Sequence, residues 1–124
     1  MIATDIGYTL TGLIGLAIIF IGARFLFAPS VAAAGYGIAE SVDDAYLSVK
    51  GVRDIASGLI ALVLLAARTP HLLGWFMVAA STIPIGDAVI VLRHDGSKAI
   101  ALGVHAATAA VMLATAVLLF AGPH

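Results

Sequence analysis

Asp87 and His105 are an acid and a base of the kind that can move a proton. Brought within reach of one bound molecule, a carboxyl group and an imidazole can take a proton and return one near neutral pH. Arg53 would stabilise an oxyanion or enolate that develops on the substrate, and Asp54 would orient Arg53 or His105. Arg24, Lys50, Ser57, Thr108 and Met112 complete the candidate set as ligand-binding residues. Isomerisation, cyclisation or cofactor-free oxidation fits such a set. No nucleophile motif accompanies it, and no nucleotide or haem signature beyond a lone His105. The chain has no cysteine, which excludes thiol catalysis, iron–sulfur ligation and cysteine-type zinc sites. One histidine without paired spacing is a poor metal set, so no metal and no cofactor is expected.

The elements that carry these residues are greasy. Of 124 residues, 62% are hydrophobic and 10% charged, with mean hydropathy +1.14. Soluble domains carry about a quarter of charged residues, so the composition is that of a membrane protein. A formal net charge of -1 and the lack of a basic tract exclude a nucleic-acid partner. Four apolar segments are long enough to cross a bilayer, at about 6–27, 47–67, 72–92 and 98–120. The links "RTPH" and "RHDGSK" are short and force antiparallel neighbours. The expected fold is all-α: one integral membrane antiparallel four-helix bundle spanning residues 1–124. Asp5 stands where a signal peptide would be basic, and the first apolar run is too long for one, so it reads as a retained helix. The connection at about 28–46 is a candidate half-helix, re-entrant piece or lid. Within it "SVDD", Ser41 to Asp44, reads as a capping box that starts helix two.

Helix two poses the sharpest question. From Ile55 to Ala67 there are about 13 residues, roughly 20 Å of helix, too short to span. The membrane portion must therefore reach back past Asp54 and Arg53, while Lys50 lies nearer the headgroups. With antiparallel topology, Arg53, Asp54, Asp87 and His105 come to one depth, with Arg24 just below. Ionisable groups inside a membrane face the bundle interior, pair, and are candidates for function. As a merely structural clamp, Arg53 would pair with Asp87, Asp54 with Arg24, and His105 with a carboxylate or carbonyl. Asp54, Ser57 and Gly58 share a helix face with Lys50, and His105, Thr108, Met112 and Thr115 form a stripe on helix four. Pro84, one turn before Asp87, frees a carbonyl and kinks helix three. Gly7, Thr11 and Gly15 have the spacing of close helix contact inside the bundle. Trp75 reads as an interfacial anchor, Tyr36 and Tyr46 as caps over the polar layer, and His71, His94 and His124 as solvated. Arg24, Lys50, Arg53, Arg93 and Lys98 collect at one end, which the positive-inside bias makes cytoplasmic. The expectation is a multi-pass protein of the cell membrane with both termini outside the cytoplasm.

With Lys50-Gly51, then Arg53-Asp54, opening helix two, Asp87 in helix three and His105 in helix four, the chain resembles the DoxX-like group. These are small four-helix bacterial membrane proteins, most without an assigned activity. The resemblance covers nearly the whole chain in length, helix count and placement of charge. It implies the fold, and that Arg53, Asp54, Asp87 and His105 matter. Some members are linked to quinone-level redox complexes. The anthrone oxygenase-like proteins, of similar outline, are thought to act without metal or flavin. Three functions compete. The first is a binder of, or enzyme for, a lipophilic small molecule that enters from the lipid bilayer. The second is an accessory subunit of a membrane complex with a structural polar cluster. The third is a proton-coupled transporter working as a homodimer.

Overall fold

The computed structural model describes residues 2–37 and 44–123, and these are helical throughout, with no strand. Helix α1 runs over Ile2–Phe27. Pro29 lacks a backbone N–H and has its angle preset for a first helical turn, so it opens a short helix, α2, Pro29–Tyr36. Gly37 closes α2 in the left-handed region, φ 102°, where a side chain would strain. Helix α3 covers Asp44–Ala66. The capping box expected at Ser41 lies outside the described residues. Helices α4, Pro70–Ala80, and α5, Thr82–Arg93, follow. The last rod begins as α6, Lys98–Ile100, capped by Ser97 Oγ, which accepts from the Ile100 N–H at 3.2 Å. It widens into a π-helical segment, Ala101–Ala106, and ends as α7, Ala107–Phe120.

Three stretches are long and apolar enough to cross a membrane: Ile2–Phe27, Pro70–Arg93 and Lys98–Phe120. Four were expected. Helix α3 has 23 residues, but any 18 consecutive residues within it include Lys50, Arg53 and Asp54. Length alone would let it cross; its charged opening requires polar surroundings.

Pro84 breaks the third span as expected. The helix interrupts at Ser81 rather than continuing from α4 to α5. Carbonyls near the break are satisfied by hydroxyls. Ser81 Oγ donates to the Val78 carbonyl and Thr82 Oγ1 to that of Ala79, both at 2.7 Å. Backbone groups left unpaired in hydrocarbon cost several kcal/mol, about the scale at which such repairs become obligatory.

Helices α1 and α3 pack most extensively. Their backbones meet at two glycine pairs. A Cβ added to Gly22 would lie 2.6 Å from the Gly51 carbonyl oxygen, and one on Gly58 2.6 Å from that of Gly15. Gly7, Thr11 and Gly15 are all buried, Gly7 against Leu119 of α7, so this stripe is internal. A core of Ala61, Leu73, Met77, Met112, Ala116 and Leu119 joins α3, α4 and α7. His71 was expected to be solvated. Instead it is half-buried, and its Nε2–H donates to the Gly122 carbonyl at 2.7 Å, tying the start of α4 to the end of α7. His94 is exposed and bonded to the Ile90 carbonyl; His124 lies outside the described residues. Outward faces carry large aliphatic and aromatic side chains such as Leu13, Phe20, Leu59, Val63 and Val117, all exposed. Trp75 is 62% exposed and packs edge-on to Phe120, as suits an interfacial anchor.

Candidate functional site

Tyr36, at the last turn of α2, gathers the polar residues. Two small buried clusters hold its ring: Phe25, Ala32 and Leu47 on one side, Ala88, Val91 and Ala101 on the other. The Phe25 ring meets it edge-on at 6.3 Å, and the His105 imidazole lies tilted at 4.7 Å. The Lys50 ammonium stands over both aromatic rings, 4.6 Å from that of Phe25 and 5.0 Å from that of Tyr36. The Tyr36 main-chain carbonyl accepts from His105 Nε2–H at 2.9 Å. One residue thereby joins α1, α3, α5 and the π-helical segment. Burial pushes the Tyr36 phenol well above its ordinary value of 10.0; the nearby Asp87 and Asp54 carboxylates push the same way.

His105 sits on the π-helical turns, a local widening that recurs at functional sites. It is buried. Because a carbonyl can only accept, Nε2 must carry the proton, and in the neutral ring Nδ1 is then the basic nitrogen. On α3, Lys50 Nζ donates to Asp54 Oδ2 at 2.8 Å, across one helical turn.

These groups line one end of a cavity of about 620 Å³ that continues between α1, α4, α5 and the last rod. Its walls are otherwise apolar, including Ile14, Ile18, Phe76, Met77, Pro84 and Val111. Of the sequence-predicted site residues, Arg24, Lys50, Asp54, Ser57, Asp87, His105, Thr108 and Met112 all line it. Arg53 does not: it is exposed and absent from the cavity wall. Neighbours on a helix point about 100° apart, and here packing turns Asp54 inward and leaves Arg53 outside. The pairings expected for a clamp also differ. Asp54 takes Lys50 rather than Arg24, and Asp87 forms no ion pair with Arg53. Ser57 and Thr108 spend their hydroxyl protons on the Arg53 and Val104 carbonyls of their own helices. Tyr46, at 72% exposure, caps nothing among the described residues. The central place of Tyr36 and the part of Phe25 had no motif to announce them. Among the described residues, no three histidine, aspartate or glutamate side chains gather as a metal set.

Comparison with known proteins places the chain in a family. Residues 15–119 match the model of DUF4267, a domain of unknown function, and the chain belongs to that family. No curated protein and no solved structure matches it.

Proposed function

We propose that the protein binds a lipophilic small molecule in the membrane, with the polar head of that molecule among Tyr36, Asp87 and His105. The observation that carries this reading is the cavity itself: about 620 Å³, apolar along its length and polar at one end. Ligand pockets commonly measure roughly 300–1,000 Å³ and combine an apolar lining with a few convergent polar groups. Several wall residues, among them Ala17, Ile21, Val104 and Thr108, are also exposed on the outside of the bundle, which supports entry from lipid between α1 and the last rod.

In the catalytic form of this reading, His105 Nδ1 takes a proton from the ligand. The imidazolium so formed returns it elsewhere on the ligand, and the Asp87 carboxylate on the same cavity wall favours that positive charge. Isomerisation and cyclisation balance in that way without a further reactant. The excess of Arg and Lys at the cavity end favours placing that end, with Arg53, Arg93 and Lys98, at the cytoplasmic face and both termini outside. The likeness to the DoxX-like group belongs to the same reading. An accessory subunit would need small-residue patches on its outside, and the glycines of α1 are spent on internal packing. A transporter's acid belongs near the midplane, and Asp87 stands with the charges gathered at one end of the cavity.

Gly103 offers a clean test. It lines the cavity, and a Cβ added there meets nothing within 4 Å. Native mass spectrometry of protein extracted in mild detergent should show a non-lipid adduct on the wild type, greatly reduced in Gly103→Trp at unchanged folding. Equal adducts on both, or none on the wild type, would count against the proposal. Once a ligand is in hand, Asp87→Asn and His105→Gln should fold and slow any turnover by about a hundredfold or more each. Unchanged turnover in both would remove Asp87 and His105 from the chemistry, and a wild type that binds without turnover would confine the protein to binding.

A further inference from the structure

The cavity is not electrically uniform. It contains two carboxylates and two cations. Asp54 holds Lys50 at 2.8 Å. Arg24 is the cation left over. It is half-buried in the last turn of α1 and lines the cavity, and no described residue accepts a hydrogen bond or forms an ion pair with its guanidinium. A guanidinium has five N–H donors in a fixed fork and cannot shed its charge. In an apolar wall those donors need acceptors, and a planar oxyanion meets two of them at once.

Resting on the reading above, we propose that the ligand is a lipophilic acid, its carboxylate or an equivalent oxyanion held by Arg24 while the apolar body lies along Ile18, Phe76 and Met77. Asp54 does not oppose this, because Lys50 already holds it, and Asp87 belongs to α5 rather than to the α1 wall that carries Arg24. Lys50 lies at the same end of the cavity and lends its charge without leaving Asp54. A cationic head would have to take Asp54 from Lys50 or turn to Asp87, the case that dodecylamine tests. A neutral carbonyl could accept from Arg24, but with a weaker, uncharged bond.

Matched amphiphiles separate these cases. The purified protein in neutral detergent would be titrated with dodecanoate, methyl dodecanoate and dodecylamine, with dioleoylphosphatidylglycerol as competitor. Dodecanoate should bind about tenfold tighter than its ester, and Arg24→Gln should abolish that preference while Arg24→Lys keeps part of it. Competition by the phospholipid would assign the oxyanion to a lipid headgroup, and its failure to compete to a free acid. Equal binding of acid and ester, preference for the amine, or a preference that survives Arg24→Gln would overturn the acidic head while leaving the cavity reading intact. If none of the three amphiphiles binds wild type any better than Gly103→Trp, the cavity reading falls and this inference with it.

Discussion

Gly58→Val will prevent α3 from docking on α1, and the protein will not accumulate in membranes in folded form. An added Cβ at Gly58 would stand 2.5 Å from Ile19 Cγ1 and 2.6 Å from the Gly15 carbonyl oxygen. The isoleucine could swing aside. The carbonyl cannot, because it belongs to the facing helix, and only separation of the two helices relieves it. Overpacking a core costs about 1–3 kcal/mol where side chains can adjust, and more where backbone must move. The penalty is also shared, since parting α1 from α3 opens the Gly22–Gly51 contact one step along the same interface. Even Gly58→Ala should lower the thermal midpoint in detergent by several degrees. Gly86→Ala is the control: nothing lies within 4 Å of its added Cβ, and alanine favours a helix over glycine by about 1 kcal/mol. A Gly58→Ala protein as stable as Gly86→Ala would mean the glycine contact does not hold the bundle together.

The second large effect is expected at Tyr36, where two substitutions part ring from hydroxyl. Tyr36→Ala removes the ring that Phe25, Lys50 and His105 contact. Truncating a fully buried aromatic costs about 3–5 kcal/mol, and this half-buried one should cost somewhat less. The loss should be local. Hydrogen exchange of α2 should rise by orders of magnitude while that of α4 and α7 stays slow. Tyr36→Phe keeps the ring and removes the hydroxyl from the polar end of the cavity. It should leave α2 docked yet weaken ligand binding as severely as Asp87→Asn. Alkaline titration gives an independent reading. A phenol whose folded value lies above its unfolded one stabilises fully below pH 10.0, and that contribution is lost progressively as pH rises above it. The wild type should therefore lose stability above about pH 10 through this group, and Tyr36→Phe should lack that component. Identical alkaline profiles for the two proteins would show that burial does not hold this phenol neutral.

Much of this arrangement was written in periodicity. Hydropathy marked the helical stretches, and Pro29, Pro84, Gly37 and Ser97 mark interruptions or ends at the places where local chemistry requires them. The convergence of Asp54, Asp87 and His105 needed only helical rise and antiparallel order, both of which are local or nearly so. Arg53 was placed with them because it lies three residues from Lys50 and four from Ser57, on the border of their shared face; that Asp54 rather than Arg53 turns inward was decided by packing.

Other features belong to tertiary structure alone. The Lys50–Asp54 pair is not among them: four residues apart on one helix, it follows from spacing. The widening of the last rod at Ala101–Ala106 has no proline or glycine pair to announce it. Tyr36 looks like any tyrosine in a connection until α2 folds back and places its ring between Lys50 and His105. Sequence by itself determined the helices and the depth of their charges, because both follow from residues adjacent along one chain. Cavity shape and the central place of Tyr36 were decided by packing, because each depends on the distance between groups on different helices.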